Sequence, residues 1–300
     1  MAKEFVQALT STPTRNIFYE DVGFAFRGTR TPRSYAEYVR RVTEYASAYG
    51  MQATGIHLKV GAIDTPEEIK HTDASADQLA QCLDRLQPEV AIGVYQWSPF
   101  SAAVLEWKAK GNHQDTKFFM YLTPEFYGRK KEYMVKQDIR KYVDATLETA
   151  KTLEGRADFL VLLEPYGSGL FISPSTFQQY VLPVYQLVAR GTSLPVIVHM
   201  PGRTRKILPF LEESDISGLQ AIDNVDLATV LENTKVRPIG NVDEHLLLRG
   251  ASIQTLDHDF KRCATTYGGP WIVHTDFWIP WNADPRKVRH LSDLVRRSNN

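Results

Sequence analysis

The chain has 300 residues, and its 35 Lys and Arg residues are balanced by 35 Asp and Glu residues. This zero formal charge, without a basic stripe, excludes the electrostatic footprint of a nucleic-acid-binding protein. No apolar run approaches the roughly 20 residues of a membrane helix, and the first 14 residues lack the apolar centre of a secretory signal. We therefore expect a cytoplasmic protein with small-molecule partners, in which Cys82 and Cys263 are buried free thiols.

Short apolar runs rich in β-branched and aromatic residues alternate with segments of helical period. Eight of these runs predict strands: Ile17–Asp21, Gly55–Lys59, Val90–Gln96, Phe159–Glu164, Pro195–His199, Leu219–Asp223, Val236–Asn241 and Trp271–His274. The clearest helical segments are Lys136–Leu153, Phe177–Ala189, Val225–Asn233 and Arg286–Arg297. No glycine-rich phosphate loop follows the first strand, which disfavours a doubly wound sheet. We predict an α/β fold, a single (β/α)8 TIM barrel that forms one domain over residues 1–300.

Capping residues followed by proline mark helix starts, because proline lacks the N–H that the first turn leaves unsatisfied. They occur at Thr65, Thr123, Ser173 and Asp284, and helix-stopping glycines follow periodic segments at Gly50, Gly155 and Gly191. The longest gap between predicted strands, from Gln96 to Phe159, carries additional helical segments. We expect this gap to form an insertion over the barrel mouth.

All eight predicted strands end in a polar residue, and the carboxyl ends of barrel strands form the face where barrel enzymes bind their substrates. These residues are Asp21, Lys59, Gln96, Glu164, His199, Asp223, Asn241 and His274. Any one of them could simply bond to a neighbouring loop. The complete ring favours a functional site.

Two histidines in this ring, His199 and His274, suit acid–base chemistry or metal binding because imidazole titrates near neutral pH. With Glu164 and Asp276 they form the predicted catalytic set, and Glu164, His199 and His274 are the metal ligands if a metal is present. His57 is interpreted instead as a core residue. We expect the strand-end groups, Glu164, Asp223 and Asn241 with both histidines, to converge on one cavity.

Substrate contacts are predicted around this set. Arg27 and Arg30 follow the first strand and offer a planar fork for a carboxylate, and Trp97, Trp271, Trp278 and Trp281 offer apolar walls. For the arginines the alternative is a role in surface solubility, and for the tryptophans the alternative is ordinary packing in the core. The candidate substrate-binding residues are Asp21, Arg27, Gln96, Tyr166, Asp223, Asn241, Phe277 and Trp278.

Several segments taken together resemble the uroporphyrinogen decarboxylase superfamily, most of all its corrinoid-dependent methyltransferases. They are ADFLVLLEPYGSGLFISPSTFQQYVLPVY, PVIVHMPG, GLQAIDNVDL, IGNVDEHLLLRG and GGPWIVHTDFWIP, with a looser likeness in WSPFSAAVLEW and LTPEFY. The resemblance implies a (β/α)8 barrel and, for the methyltransferase branch, a separate corrinoid protein as partner.

The resemblance also implies a zinc site in the thiol-methylating branch, held by a His-x-Cys after strand five and a cysteine after strand eight. In this sequence the histidine position is His199, but the cysteine positions carry Pro201 and, approximately, Phe277. Catalytic zinc normally has three protein ligands. We therefore expect no tightly bound zinc.

The decarboxylases of the superfamily carry an N-terminal arginine motif, which Arg27 and Arg30 resemble at altered spacing. They also carry a late Gly-His-Gly motif, and in this sequence its histidine position falls near Phe277.

The leading hypothesis is a methyltransferase that moves a methyl group between a small O- or N-methylated substrate and a corrinoid protein. The alternative is a decarboxylase or related lyase acting on an aromatic or pyrrolic carboxylic acid. A binding protein that has kept the barrel and lost catalysis is the third reading.

Overall fold

The computed structural model describes residues 2–20, 32, 34–58, 74–109, 132–222, 227–276, 279–280 and 282–299. Its strands are β1 Ile17–Glu20, β2 Ala53–His57, β3 Ala91–Trp97, β4 Phe159–Leu163, β5 Val196–Pro201, β6 Gly218–Ile222, β7 Arg237–Pro238 and β8 Ile272–Val273. Each overlaps its predicted run. The largest differences are in β2, which begins and ends two residues earlier than predicted, and in β7, which is shorter.

Helices occupy most connections between these strands. They are α1 Ala2–Thr10, α2 Tyr35–Ala48, α3 Ala76–Leu86, α4 Pro99–Ala109, α5 Glu132–Leu153, α6 Leu182–Gly191, α7 Leu227–Asn233, α8 Ile253–Tyr267 and α9 Pro285–Arg297. Before α6 the chain forms a helical turn at Pro174–Thr176 and a π-helix at Phe177–Val181. Short 3-10 helices cover Leu208–Glu213 and Glu244–Leu247.

Two of the four predicted proline-linked caps lie in the described residues, and both are confirmed. Ser173 accepts a hydrogen bond from the Thr176 backbone N–H, and Asp284 accepts one from the Arg286 N–H. Both satisfy donors that the first helical turn would leave exposed. Thr65 and Thr123 lie outside the described residues.

All the strand pairs are parallel, and the sheet order is β7-β6-β5-β4-β3-β2-β1-β8. The two edge strands approach each other through parallel bridges from Ile239 to Ile272 and from Val242 to Thr275. The Val242 N–H donates to the His274 carbonyl at 3.0 Å, and the Asp276 N–H donates to the Val242 carbonyl at 2.8 Å. These bonds close the sheet, which confirms the (β/α)8 barrel.

Strand residues alternate between two apolar cores, because successive side chains point to opposite faces of a sheet. The inner core fills the barrel with residues such as Tyr19, Tyr95 and Val161, and α1 inserts Phe5 into it from the amino-terminal end. The outer core joins the other strand face to the helices, through residues such as Leu160 and Leu162. Which face a strand residue occupies therefore decides whether it can reach the barrel interior.

Two predictions about apolar side chains need correction. Trp271 does not line the mouth: it is 1% exposed and packs against Phe260 and Tyr267 of α8, with ring centroids 5.2 Å from each. Cys82 is only half-buried, whereas Cys263 is buried as predicted, and both are free thiols. No helix in the described part of the chain combines the length and apolarity needed to cross a membrane.

Candidate functional site at the barrel mouth

Six polar side chains from six strands or strand ends meet inside the barrel, and we call them the inner polar cluster. Its members are Tyr19, His57, Tyr95, His199, Gln220 and His274, each at most 3% exposed. They belong to β1, β2, β3, β5, β6 and the residue after β8. His199 and His274 lie two residues beyond the inner-core residues Ile197 and Ile272. Because side chains two apart in a strand point to the same face, both histidines point into the barrel.

Ring contacts connect the histidines through the two tyrosines. The Tyr95 ring stacks on His57 at 4.6 Å between centroids and meets the edge of His199 at 6.4 Å. The Tyr19 ring lies 4.8 Å from His274. The predicted pair of histidines is therefore brought into one cluster, with aromatic side chains between them.

Hydrogen bonds cross the barrel through the same residues. The Tyr19 and Tyr95 hydroxyls bond to each other, and the Tyr95 oxygen lies 3.4 Å from Gln220 Oε1. Gln220 Nε2 lies 3.0 Å from His274 Nε2. Burying hydroxyl and amide groups costs free energy unless they find partners, and here they partner one another.

Glu20 is a fully buried carboxylate beside this cluster. Its Oε1 accepts a 2.6 Å bond from the Thr275 N–H, and its Oε2 accepts a 3.0 Å bond from the Thr275 hydroxyl. Oε2 also lies 3.7 Å from His274 Nε2. Glu20 therefore holds the segment after β8 against the end of β1 and places a carboxylate beside the His274 ring.

Glu164, predicted to join the histidines, does not do so. Glu164 follows Leu160 and Leu162 at a spacing of two, so its side chain points to the same face of the sheet as theirs, toward the outer core. Its carboxylate accepts hydrogen bonds from the Ser98 and Ser101 hydroxyls and the Gly167 N–H. Burial raises its pKa to about 7, against the lowering effect of these bonds. The carboxyl group links the start of α4 to the loop after β4 and faces away from the inner polar cluster.

Asp276 lies in a different group, at the closing edge of the barrel. Its carboxylate approaches Asp243 and Glu244, with one oxygen of each within 4.8 Å of the others. Burial first, and then the negative charges of Glu244, Asp243 and Asp259, raise its pKa to about 7, while Arg262 opposes them. Asp276 is therefore able to exchange a proton near neutral pH, although it is not part of the inner polar cluster.

The remaining predicted residues are spread over the mouth. Gln96 is half-buried and has the phase of the outer-core residues Ile92 and Val94, and Tyr166 is buried against Phe171 with ring centroids 5.6 Å apart. Asn241 is half-buried, and its backbone carbonyl accepts a 3.2 Å bond from Arg262. Several others lie outside the described residues: Asp21, Arg27, Arg30, Lys59, Asp223, Phe277, Trp278 and Trp281.

The donor atoms do not fit the zinc site that the sequence resemblance implies. Cys82 lies on α3 and Cys263 on α8, and burial raises the pKa of the Cys263 thiol to about 11. Within the described ranges, Glu164, His199 and His274 are not among the groups of three whose ligand atoms come within 4.8 Å of one another. The three metal ligands predicted from the sequence therefore do not come together, because Glu164 lies on the outer face of the sheet and the two histidines lie on the inner face.

Sequence reasoning missed four residues of this region: Tyr19, Glu20, Tyr95 and Gln220. The first three lie inside or at the end of apolar runs, where the pattern predicts strand interior. Gln220 carried a usable signal, because it is a lone amide within the otherwise apolar stretch GLQAI. For His57 the sequence predicts a core position. It is buried as expected, yet it ends β2 and belongs to the cluster.

The closed parallel barrel and the polar side chains at the carboxyl ends of its strands define a TIM-barrel protein with a candidate site at the mouth. This chain belongs to the uroporphyrinogen decarboxylase (URO-D) family, whose model matches residues 56–298. The family resemblance drawn from the sequence motifs is thereby confirmed.

Individual relatives carry methyltransferase names. The chain is 24% identical over 132 residues to a methylated-thiol–coenzyme M methyltransferase of Methanosarcina mazei, an alignment that covers 38% of this chain and 35% of that protein. It therefore spans about a third of the length of the curated relative. A solved methyltransferase from Methanosarcina mazei superposes with a TM-score of 0.76 at 14% identity, covering 99% of this chain and 98% of the other.

The barrel itself is shared more widely. Dihydrodipicolinate synthase from Oceanobacillus iheyensis superposes with a TM-score of 0.52 at 13% identity, covering 100% of this chain and 77% of that one. At such identities the structural likeness shows the fold alone.

Proposed function

We propose that this protein is a methyltransferase that moves a methyl group between a small O- or N-methylated substrate and a corrinoid protein. The observation that carries the proposal is the inner polar cluster, which places imidazole, phenol and amide groups inside the barrel of a URO-D family member. The two relatives from Methanosarcina mazei are named as methyltransferases, which favours this reaction over decarboxylation. We further propose that residues 1–300 act as one domain.

The substrate class follows from the donor atoms. The curated relative's name specifies a methylated thiol, and soft thiolate ligands are typical of zinc sites that bind sulfur. In this chain both cysteines lie on outer helices. An alcohol or amine leaving group needs a proton and an orienting hydrogen bond, and the nitrogen and oxygen donors of the cluster can supply these.

The corrinoid, bound to its partner, would supply the nucleophile that takes up the methyl group. The residues of this chain would bind the methylated compound, exclude water and hold a proton near the leaving atom. His199, inside the cluster, is our candidate for that proton, with Asp276 at the rim as a second group whose pKa of about 7 suits proton exchange. Glu164 supports the site through its bonds to Ser98 and Ser101.

We also propose that residues after the barrel strands contact the substrate. Asp21, Arg27, Asp223, Phe277 and Trp278 are assigned to substrate binding from their positions after strands. Gln96, Tyr166 and Asn241 are assigned to the same mouth, where Tyr166 and Phe171 provide aromatic surface.

The test is methyl transfer to free cob(I)alamin under reducing, anaerobic conditions, followed by the absorbance change that accompanies methylcobalamin formation. Matched panels of O-methyl, N-methyl and S-methyl donors are compared. We expect turnover with O- or N-methyl donors, and a loss of about 100-fold or more in kcat/KM for His199→Gln, the usual scale for a lost proton-transfer group. The exposed His258, changed to Gln, is the matched control and should leave kcat/KM unchanged.

Two results would overturn the proposal. The first is methyl transfer from methylated thiols alone. The second is release of carbon dioxide from aromatic or pyrrolic acids with no methyl transfer from any donor, which would restore the decarboxylase alternative.

A further inference from the structure

Trp97 is an aromatic side chain on the inner face of the barrel that stays partly exposed. It ends β3 two residues beyond Tyr95, so it points to the same inner face. The aliphatic and aromatic residues that form the inner core in the described part of the chain are buried, whereas Trp97 packs against them and is only half-buried. The indole therefore lies at the mouth end of the inner core, where a ligand entering the barrel would meet it.

The strand register places Trp97 in line with His199. Trp97 is paired with Leu163 on β4, and Leu163 is paired with His199 on β5. Leu163 belongs to the inner core, so the three side chains share the inner face. Neighbouring strands lie about 4.8 Å apart, which puts roughly 10 Å between the strand positions of Trp97 and His199. One aromatic ring lying over Leu163 would therefore contact the indole on one side and bring a substituent to the imidazole on the other.

The two sides of the mouth offer different chemistry to such a ligand. The ends of β3 and β4 present apolar surface on the inner face, from Trp97 and Leu163. The side formed by β6, β8 and β1 carries the polar groups of Gln220, His274 and Glu20. A ligand whose apolar ring lies on the first side presents its oxygen or nitrogen atom to the second.

Small and aromatic methyl donors would gain different amounts of binding energy from this apolar side. An aromatic ring can stack on the indole or meet it edge to face, and such pairs add attraction beyond the apolar area that they bury. Methanol and methylamine have too little apolar surface to contact Trp97 while their methyl group lies near His199. A single methylene group that fits an apolar pocket is worth roughly 10- to 200-fold in specificity, so a whole ring at this place favours the aromatic donors.

We propose that Trp97 is a specificity-determining residue, which with Leu163 forms an apolar wall that selects methyl donors whose oxygen or nitrogen atom is bonded to an aromatic ring. The reaction of these donors rests on the proposed function. The binding of an aromatic ring at Trp97 does not.

The first test measures ring binding and needs no turnover. The whole protein is labelled with 15N-tryptophan and titrated with phenol, the product that an aryl methyl ether would leave. Indole 1H–15N signals are assigned as those lost in Trp97→Phe and Trp271→Phe. We expect the Trp97 signal to shift saturably with phenol and to stay in place with methanol at the same concentration. Trp271 is the internal control, because it is buried against α8 outside the barrel, and its signal should not move.

The proposal is overturned if phenol leaves the Trp97 signal in place, or if it moves the Trp97 and Trp271 signals alike. Both results are read from the wild-type protein.

The second test compares anisole and methanol as methyl donors in the transfer to free cob(I)alamin. The wild-type kcat/KM should be higher for anisole. In Trp97→Leu the KM for anisole should rise by about 10-fold, with kcat within about twofold because the wall contacts the bound substrate and the transition state alike. Trp97→Phe keeps an aromatic face and should stay near the wild-type KM. Leu187→Ala, at a side chain that is 43% exposed on α6, is the matched control and should leave the KM unchanged.

These outcomes separate the inference from the proposed function. If phenol shifts the Trp97 signal but no donor yields methylcobalamin, the proposed function alone is refuted. If methyl transfer occurs but methanol is used as well as anisole, or if a folded Trp97→Leu protein keeps the wild-type KM for anisole, the inference alone is refuted.

Discussion

Replacing Glu164 with Gln should change how the stability of this protein depends on pH. Glu164 is fully buried, and burial raises its pKa from 4.5 to about 7 in the folded chain. The folded protein therefore binds this proton more tightly than the unfolded chain does. The stabilisation is complete below pH 4.5 and is lost as the pH rises through the folded pKa near 7.

The magnitude follows from the shift of roughly 2.5 units, since each unit corresponds to about 1.4 kcal/mol. Ionisation of Glu164 thus costs the folded state about 3.5 kcal/mol in total, of which about 2.5 kcal/mol develops between pH 5 and pH 8. Glutamine keeps one oxygen that can accept from Ser101 and Gly167, but it cannot ionise. The free energy of unfolding of Glu164→Gln, relative to wild type, should therefore rise by about 2.5 kcal/mol between pH 5 and pH 8.

Urea unfolding of both proteins at pH 5 and pH 8 measures this difference, and groups common to both, such as Asp276, cancel. Glu148→Gln on the exposed side of α5 is the control and should show no pH-dependent difference. A Glu164→Gln difference that stays constant within about 0.5 kcal/mol, the usual scale for inert surface changes, would refute the assignment of a raised pKa to this carboxyl group.

Two further predictions concern stability. Phe5→Ala should destabilise the fold by about 3–5 kcal/mol in urea unfolding, because the centroid of the Phe5 ring lies 4.6 Å from that of Phe159 at the base of the barrel. The control Lys3→Ala changes an exposed residue of the same helix and should cost under about 0.5 kcal/mol. Similar losses of stability in both variants would contradict the packing of α1 into the inner core. Lys287→Met should lower the free energy of unfolding by about 3 kcal/mol and speed amide exchange over residues 244–251. The reason is that the buried Lys287 ammonium group donates to the carbonyl of Leu246 at 3.1 Å and to those of Leu248 and Ala251. Lys261→Met on the exposed side of α8 is the control, and unchanged exchange in the Lys287 variant would show that the ammonium does not hold this loop.

The barrel was predictable from the sequence because its signals are local. Short apolar runs between turn residues, such as FLVLL, predict buried strands. Cap residues such as Ser173 and Asp284 act within one helical turn. The family motifs point to the same architecture, and the observed strands lie within a few residues of the predicted ones.

The site was only partly predictable, and Glu164 shows why. In a parallel barrel both strand faces are buried, so β4 is apolar throughout and its pattern does not reveal which face points inward. A polar residue at the strand end can then lie on either face. His199 and His274 have the inner phase, whereas Glu164 has the outer phase and bonds to α4.

The sequence by itself therefore determined the alternation of strands and helices, and the presence of polar groups at the mouth. Only the tertiary structure decided which of these groups meet. Tyr19, Tyr95 and Gln220 are separated from His274 by 255, 179 and 54 positions, and they come together only because closure of the barrel places inward-facing residues of different strands around one axis. Such contacts depend on strand phase and register across the whole sheet, and no local pattern of residues specifies them.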